Sequence, residues 1–572
     1  MTETAAGLVQ SIDWFAVAPP TIAAVVGLAV LVADLFVDDA RKPLLGWVSV
    51  AGLALAALAL LPLLDGDRTT FCRTDRPAVC SYTADHFAVV IQFLVLGGAL
   101  LAALLSMSTL RDARTGGART GGARDARNEG SKGTPQDAAG AMPDGEYWFL
   151  LLSSAAGAAL LPAARDLATL VVALEVASLP AFALVGLKRG DRKSADAALK
   201  FFLSSVTATA VTLLGASFVY AATGSMYLTE IASRLPHVDG QLQTLARTGV
   251  TLTLVGFAFK TAAVPFHFWV PDTYVGAPLP IAAYLSVIGK AVGFSGLIVV
   301  TVLGFPSYAH VWGPALAVLA ALTMSVGNVA ALRQPPTRAY SAVRLLAWSS
   351  VGQAGYLLVP IAAAGYARRT DGVERAIGST VAYALMYAAV NLGAFAVAAL
   401  VARSSPYNRL SDYRGLYARR PLTALLLGFF LLCLAGLPPG VIGLFAKVTV
   451  FSAAVDAGLG WLAVVMAVNV VIALYYYLQW TALLFRAPAP QEVPGSEAET
   501  PGSEPSGVPE AAGAGSRPDS ASASAGAGGS AGPPPAAVPV PLAAALGLTA
   551  LLAVALSGAP QLIMRFSAIA LF

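Results

Sequence analysis

Four ionisable residues interrupt long apolar stretches of this sequence: Glu175, Lys260, Lys290 and Lys447. A lysine near the centre of a bilayer costs about 2.5 to 3.5 kcal/mol on insertion scales, so its presence asks for a functional reason. An unpaired carboxylate at Glu175 is also expensive, and we expect it to be protonated or close to a cation, for which the lysines are available. A desolvated lysine releases its proton more readily than one in water. The pattern therefore predicts proton transfer, in which the distance between Glu175 and Lys260 controls whether the lysine holds its proton.

Proline-rich breaks lie close to two of these lysines. Pro265 follows Lys260, and Pro438 and Pro439 precede Lys447. Proline removes a backbone donor and clashes with the preceding turn, so we expect a helix to break at each place. One interpretation is that each lysine only stabilises its break by donating to the freed carbonyl groups. A neutral polar side chain would do the same at lower cost, and proton transfer is therefore the favoured role.

Three further polar residues are candidate relays, each with a structural alternative. His267, in the sequence PFHFW, either passes a proton or packs within an aromatic hinge. Lys200 opens an apolar stretch, where an interfacial position is the alternative to a relay. Gln353 is most simply a hydrogen-bond partner between helices.

The composition predicts an integral membrane protein built from helices. Of the 572 residues, 57% are hydrophobic and 12% are charged, against about 25% charged residues in an average soluble protein. The apolar runs lack the short alternating segments of an outer-membrane barrel, so the predicted fold class is all-α. The first 14 residues are acidic to neutral and the first apolar run reaches membrane-spanning length, so we expect no cleavable signal peptide. Three cysteines are too few for a cysteine-ligated iron–sulfur cluster within this chain alone.

Apolar length and helix breakers predict about fourteen transmembrane spans, since about 20 residues cross the hydrocarbon core of a bilayer. The predicted spans are 19–37, 44–64, 86–110, 147–164, 167–187, 199–222, 247–265, 279–303, 311–332, 341–364, 375–402, 421–456, 459–486 and 539–560. The twelfth is too long for one straight helix, and the sequence GLPPG at its middle marks the expected break.

Two low-complexity segments lie between the spans. Residues 111–146 repeat the unit RTGGA and are rich in Gly, Arg and Asp, and residues 487–538 are rich in Pro, Gly, Ser, Ala and Glu. Such compositions cannot bury a core. We therefore predict a flexible cytoplasmic loop over 111–146 and a disordered loop over 487–538.

The distribution of Lys and Arg predicts the orientation of the chain. Alternate loops, such as 188–193 and 403–420, are rich in these residues, whereas 304–310 has neither. The positive-inside rule then places the rich loops in the cytoplasm and both termini on the outer face. The loop between Cys72 and Cys80 also falls on the outer face, where an oxidising compartment makes a disulfide plausible, although the sequence alone leaves it open.

The segments that contain the buried charges share short sequence patterns with a known family. The patterns are LEVASLP at 174–180, Phe259 with Lys260, VPFH at 264–267, Trp269, PDTYVGAP at 271–278, Lys290, LAWSSVG at 346–352, and GLPPG at 436–440 with Lys447. They resemble subunit N of bacterial respiratory complex I, the NADH–quinone oxidoreductase, within its antiporter-like membrane subunit family. The resemblance covers roughly residues 147–486 and is most specific in the central block.

The resemblance implies about fourteen helices with two inverted five-helix repeats, each containing a broken helix. The implied divisions are N-terminal helices 1–3 over 1–110, repeat 1 (helices 4–8) over 147–303, repeat 2 (helices 9–13) over 304–486, and a C-terminal helix 14 over 539–572. It also implies roles for the charged residues: Glu175 pairs with Lys260, Lys290 is the central relay, and Lys447 lies towards the exit half-channel.

Two features favour subunit N over its siblings, and one departs from it. The hinge PDTYVGAP differs from the PDAH-type sequence usual in the siblings, and Lys447 is a lysine where subunit M usually has glutamate. Gln353, however, lies in a stretch where subunit N commonly has histidine. Because glutamine does not titrate near neutral pH, a relay at Gln353 would need a bridging water.

The sequence therefore predicts a proton-translocating subunit of complex I in the bacterial cell membrane, with no cofactor of its own. NADH, FMN, iron–sulfur clusters and quinone are expected in partner subunits. The expected partners are other membrane subunits, including antiporter-like siblings, and the lipid bilayer, but no nucleic acid. Two alternatives remain at this point: a subunit of a Na⁺ or K⁺/proton antiporter, and a purely structural scaffold.

Overall fold

A computed structural model describes most of the chain. It covers residues 12–125, 142–188, 190–487, 538–567 and 571–572. Residues 126–141 of the first predicted low-complexity loop, 111–146, and nearly all of the second, 487–538, fall outside these residues, so the predicted disorder of the second loop stays a prediction.

Helices make up nearly all of the described structure. In chain order they are α1 (Trp14–Asp34), α2 (Pro43–Leu58), α3 (His86–Asp125), α4 (Asp144–Leu160), α5 (Leu167–Val185), α6 (Arg192–Thr223), α7 (Leu228–Arg234), α8 (Gln243–Lys260), α9 (Trp269–Gly276), α10 (Leu279–Tyr284), α11 (Lys290–Ile298), α12 (Ala309–Leu332), α13 (Ser341–Ala364), α14 (Thr370–Ala402), α15 (Leu416–Arg419), α16 (Pro421–Ala435), α17 (Val441–Asp456), α18 (Gly460–Phe485), α19 (Val540–Gly558) and α20 (Gln561–Met564). The strands are β1 (Arg68–Cys72) and β2 (Cys80–Ala84).

The predicted all-α membrane fold is confirmed. Among the described residues, eleven helical segments are long and apolar enough to cross a membrane. Each of the fourteen predicted spans overlaps a helix, but α4, α8 and the broken pair α16 and α17 are not among those eleven. The number of fourteen crossings therefore stays a prediction.

The enclosed centre of the molecule contains α11, α13 and α14. Every residue of α11 is buried, and so are nearly all residues of α13 and of the apolar part of α14. By contrast, α18 and α19 bury only a minority of their residues and form part of the outer surface. Lys290, the first residue of α11, therefore lies in the most enclosed part of the fold.

Aspartate caps begin the two helices that face Lys260. The side chain of Asp166 accepts from Thr169 N at the start of α5, and Asp191 accepts from Lys193 N at the start of α6. These bonds satisfy backbone donors that have no partner in the first turn of a helix. At the other end of α6, Gly224 has a φ of +66°, the left-handed conformation that commonly terminates a helix.

The predicted loop start at residue 111 differs from the structure, because α3 continues well beyond that point. Alanine and arginine, which are frequent there, are good helix formers. Ion pairs hold the first turns beyond residue 111 against other elements: Arg403 with Asp112 at 3.2 Å, and Arg114 with Asp144 at 2.6 Å.

A short hairpin lies where the sequence predicted only a polar loop. Strands β1 and β2 pair antiparallel, with Cys72 opposite Cys80, and a disulfide joins these two residues. Threonine, phenylalanine and tyrosine in the two strands favour extended structure. The hairpin is attached to the helices through a bond from Arg165 N to the Ser81 carbonyl oxygen at 2.8 Å.

The chain leaves helical geometry at both predicted breaks. Helix α8 ends at Lys260 and α9 begins after Pro265, while α16 ends directly before Gly436 and α17 begins after Pro439. Gly436 has a φ of +84°, which favours glycine. Its missing side chain also leaves room for Lys447, since a Cβ there would lie 3.1 Å from the Lys447 Cδ.

The segment Leu279–Gly304 is not a regular α-helix. It contains π-helical turns at Leu285–Gly289 and at Val299–Gly304, and Lys290 directly follows the first of them. Single π-helical turns occur frequently at functional sites. The π-helical turns were not predicted, because no proline or pair of glycines within them indicates a departure from α-helical geometry.

Candidate functional site

Lys260 is buried between three helices and hydrogen-bonds to two serines. As the last residue of α8, it lies at the edge of the first break. Its Nζ donates to Ser178 Oγ on α5 at 2.8 Å and to Ser205 Oγ on α6 at 2.6 Å. The Nζ also lies 5.6 Å from the centre of the Phe182 ring. The amine is therefore held by hydroxyl groups of two other helices and by an aromatic face.

Glu175 lies about one turn of α5 before Ser178 and hydrogen-bonds to a different residue. Its Oε1 accepts a hydrogen bond of 2.6 Å from Thr209 Oγ1. Both Glu175 and Lys260 lie in the described part of the chain, and no direct ion pair joins them there. Ser178 follows Glu175 by three residues on α5, and Ser205 precedes Thr209 by four on α6, so the two contacts form adjacent layers between the same helices.

A small cavity lies between Lys260 and the helix that carries Lys290. Its volume is about 30 Å³, and its lining includes Lys260, Ser154, Tyr284 and Gly289. The Tyr284 hydroxyl donates to Ser154 Oγ at 2.9 Å. A water requires roughly 10 to 15 Å³ of such volume and several polar partners, and this cavity offers both. Gly289, which directly precedes Lys290, also lines the cavity, so the cavity extends from the first lysine to the helix of the second.

Lys290 is buried without a polar contact. Only 3% of its surface is exposed, and within the described residues its Nζ has no hydrogen-bond partner. Burying an unpaired amine is costly, and no structural contact of Lys290 offsets that cost. A purely structural role therefore explains this residue poorly.

Polar groups connect the helix of Lys290 with the second half of the chain. Ser286, one turn before Lys290, accepts from Asn391 Nδ2 at 2.6 Å. The Tyr387 hydroxyl lies within hydrogen-bonding distance of the Ser286 carbonyl oxygen (3.2 Å) and of Ser350 Oγ (2.9 Å). These contacts form a continuous polar link from the centre to α13 and α14.

Gln353 lies in a second group of buried polar side chains. It donates to the Tyr477 hydroxyl at 3.3 Å and accepts from the Tyr383 hydroxyl. Tyr477 also bonds with Ser349. Gln353 thus links α13 to α14 and α18, as expected for a hydrogen-bond partner between helices.

Lys447 contacts the broken helix itself. Its Nζ donates to the carbonyl oxygens of Leu434 at 2.8 Å and Ala435 at 2.7 Å, which end α16. It also lies 5.8 Å from the centre of the Tyr356 ring. Lys447 therefore stabilises its helix break, whereas Lys260 at the corresponding break hydrogen-bonds to other helices.

The contacts of His267 and Lys200 support their structural interpretations. The His267 ring is partly buried, and its centre lies 5.5 Å from that of Trp348. Lys200 is more than half exposed and pairs with Asp196 at 2.8 Å and Asp272 at 3.3 Å. The structure does not bring either residue into contact with the buried lysines.

Sequence reasoning missed three residues of the site: Ser178, Ser205 and Thr209. A signal was present, because Ser178 follows Glu175 by three residues and Ser205 precedes Thr209 by four, which places each pair on one helix face. Serine and threonine in apolar helices usually bond to their own backbone, however, so the spacing alone does not distinguish a site from a solitary hydroxyl.

No metal site is present in the described ranges, where no group of three or more His, Cys, Asp or Glu residues could hold an ion. The site consists instead of amines, one carboxylate, hydroxyls and a small cavity. Such groups bind and pass protons.

Residues 164–473 match the family model described as "NADH:quinone oxidoreductase/Mrp antiporter, TM". The chain is 66% identical to NADH-quinone oxidoreductase subunit N 2 of Streptomyces griseus over 568 residues, which is 99% of this chain and 96% of the relative. It is 43% identical to NADH-quinone oxidoreductase subunit N of Salinispora tropica over 494 residues, covering 85% and 88% of the two chains.

Solved structures have the same fold. A chain of respiratory complex I from Thermus thermophilus with bound aureothin aligns with a TM-score of 0.66 and 28% identity, covering 96% of this chain and 98% of that one. A chain of the Mrp complex from Dietzia sp. aligns with a TM-score of 0.72 and coverage of 99% and 96%; at 21% identity it shows the fold alone.

Proposed function

Because this chain belongs to the subunit N family of NADH-quinone oxidoreductase, within the antiporter-like membrane subunits, we propose that it carries protons across the membrane through Glu175, Lys260, Lys290 and Lys447. One observation carries the proposal: Lys260, Lys290 and Lys447 are only 6%, 3% and 4% exposed within apolar helices. Burying an amine this deeply in a membrane protein costs free energy whatever its role, so such residues generally mark functional sites.

In the proposed path a proton moves from the first repeat to the second. Lys260 exchanges with Glu175 on one side and, through water in the cavity, with Lys290 on the other. The polar link through Ser286 and Ser350 leads from the helix that carries Lys290 to the second repeat, which contains Lys447. The cavity beside Lys260 and this polar link support the first part of the path, since proton transfer needs groups within hydrogen-bonding distance or one water apart.

The free energy for transport comes from outside this chain. The family is part of an enzyme complex, and the chain assembles with other membrane subunits of it. In this proposal the chain holds no redox centre, and NADH oxidation and quinone reduction occur in partner subunits that hold FMN and iron–sulfur clusters. Moving one charge against the membrane potential costs about 2.3 kcal/mol per 100 mV, which must reach the lysines through contacts with neighbouring subunits.

The proposed architecture is a pair of inverted repeats in a bacterial cell membrane. The repeats comprise 147–303 and 304–486, with both chain termini on the outer face. Their support is the presence of one break in each, at the ends of α8 and α16, and of a lysine near each: Lys260 ends α8, and Lys447 lies on α17 with its amine at the end of α16. Breaks in corresponding helices of two halves mark transport sites in many membrane proteins.

The proposal is tested in membrane vesicles that contain the complete enzyme. Lys260→Ala, Lys290→Ala and Lys447→Ala are each compared with Lys200→Ala, which removes an exposed and ion-paired lysine. The ratio of protons translocated to NADH oxidised should fall in the first three and stay at the parental value in the control. Parental ratios in all three variants would overturn the proposal.

A further inference from the structure

We propose that Ser178 and Ser205 are positioning residues that hold Lys260 away from Glu175, and that exchange begins when the amine moves from this serine pair to the contact between Glu175 and Thr209. The inference rests on the proposed function and assigns a role to hydroxyl groups rather than to a further charge. Its basis is two adjacent layers of polar side chains between α5 and α6: the serine pair in one, and Glu175 with Thr209 in the other.

The first layer contains the serine pair and the amine. Ser178 and Ser205 are 7% and 0% exposed, so they compete with little or no bulk water for Lys260. Ser178 Oγ donates to the Leu174 carbonyl oxygen at 2.6 Å, which leaves its lone pairs for the amine. Two hydrogen bonds to a charged group in such surroundings are strong and fix the amine in one place.

The second layer contains the carboxylate and its own hydroxyl partner. Thr209 donates a hydrogen bond to Glu175. Ser205, one turn earlier on the same helix, accepts the hydrogen bond from Lys260. The layers lie about 5 Å apart along the helices. A lysine side chain has four flexible methylene groups and reaches over this distance without any movement of the backbone.

Hydroxyl groups suit a lysine that gains and loses a proton. A serine accepts from an ammonium group, and it can rotate and donate to the nitrogen once the lysine is neutral. Within the described residues the Ser205 hydroxyl makes no other hydrogen bond, so its proton is available for this reversal. The serine pair therefore holds Lys260 in both protonation states.

The corresponding lysine in the second half lacks this property. Lys447 donates to two backbone carbonyl oxygens, which accept hydrogen bonds but never donate them. The contrast argues that the serine pair is specific to the first repeat, where Lys260 has a carboxylate one layer away.

The test compares serine variants in vesicles that contain the complete enzyme. Ser178→Ala, Ser205→Ala and the double variant remove the acceptors, and we expect the double variant to translocate fewer protons per NADH than Ser204→Ala, with a changed pH profile of translocation. Ser178→Thr keeps the hydroxyl that accepts from Lys260. This variant should translocate more protons per NADH than Ser178→Ala does, with the parental pH profile.

Ser204→Ala is the matched control. Ser204 precedes Ser205 on α6, is partly exposed, and bonds to the Lys200 and Phe201 carbonyl oxygens of its own helix. The amount of assembled complex, measured by immunoblot of each vesicle preparation, separates a loss of transport from a loss of protein.

The outcomes also separate this inference from the proposed function. A double variant with the ratio and pH profile of Ser204→Ala would overturn the inference, and so would a Ser178→Thr variant as impaired as Ser178→Ala. If Lys260→Ala abolishes translocation while the serine variants are unaffected, only the inference fails. If Lys260→Ala itself translocates normally, the proposed role of Lys260 fails and the inference fails with it.

Discussion

Gly293 lies directly against the backbone of Lys260: a Cβ atom at position 293 would come 2.6 Å from the carbonyl carbon of Lys260 and 2.6 Å from Thr261 N. Helix α11, which carries Lys290, thus packs against the backbone at the end of α8, where the first break begins. Gly293 follows Lys290 by three residues, so the same turn of α11 contains both the buried amine and this contact. A side chain at position 293 would therefore push α11 away from the first break.

Gly293→Ala should separate α11 from the break. Alanine is the better helix former, so any loss must come from the contact, and backbone atoms cannot rotate away as a side chain would. We expect a loss of about 1 to 3 kcal/mol in stability, typical of overpacking, together with a lower ratio of protons translocated to NADH oxidised. The readout is that ratio and the temperature at which the solubilised complex loses this chain on native gels.

Gly97→Ala is the control for this change. Gly97 lies within the apolar helix α3, and no atom lies within 4 Å of an added Cβ. It should behave as the parent does. Equal behaviour of the two variants would contradict the importance of the Gly293 contact.

Lys447→Ala should destabilise the chain more than Lys260→Ala does. Removing Lys447 leaves the carbonyl oxygens of Leu434 and Ala435 buried and unpaired, at about 1 to 3 kcal/mol for each. Removing Lys260 leaves hydroxyl groups that can bond to their own helices, as Ser178 already does with Leu174. Thermal release of the chain from the solubilised complex measures the difference. A lower release temperature for Lys260→Ala than for Lys447→Ala would show that the two breaks are not held as described.

The buried charges and the helix breaks were predictable because their signals are local. Lys260, Lys290 and Lys447 are isolated in apolar sequence, and a lone charge there is conspicuous whatever surrounds it in space. The breaks follow from prolines, whose missing donor acts on the preceding turn alone. Periodicity and length likewise predicted helices of membrane length at nearly every place where the structure has one.

The partners of the charges were not predictable, because they depend on how helices rotate and pack. Ser178 and Ser205 belong to different helices, and only the packing of α5 and α6 on α8 brings them to one amine. The same holds for Lys447, whose acceptors lie on the far side of its own break. The hairpin at 68–84 was missed because its strands are only five residues long and the sequence between them begins with four polar residues.

The disulfide between Cys72 and Cys80 predicts a specific labelling pattern. The chain has three cysteines, and among them Cys433 is free and buried. Alkylation of the denatured chain without reductant should therefore add one label, and alkylation after reduction should add three, as counted by mass spectrometry. A Cys72→Ser variant should carry two labels without reductant. Three labels on the unreduced parental chain, trapped in acid from fresh membranes, would rule the disulfide out.

Glu230 should connect the hairpin to the helices in a pH-dependent manner. Its carboxylate is 8% exposed and lies 2.8 Å from Arg76 and 3.3 Å from Arg234, and it accepts from Ser225 at 2.7 Å. The Ser225 hydrogen bond and the arginines hold the pKa of the Glu230 carboxyl below its ordinary value of 4.5. A carboxyl with a lower pKa in the folded state stabilises that state above its unfolded pKa, and the contribution is lost as the pH falls through the folded value.

We therefore expect this attachment to be complete at neutral pH and to weaken as the pH falls below the ordinary carboxyl value towards the lowered pKa of Glu230. Glu230→Gln should weaken it at neutral pH as well, since the contacts between the buried side chain and the partly exposed arginines lose one charge. Asp75→Asn is the matched control, because Asp75 is more than half exposed and pairs with Arg73 at the surface, where an ion pair contributes about 0 to 1 kcal/mol. Amide hydrogen exchange of residues 68–84 in the complete complex measures attachment. Slow exchange of this segment in Glu230→Gln at pH 7, equal to that in Asp75→Asn, would show that Glu230 does not hold the hairpin.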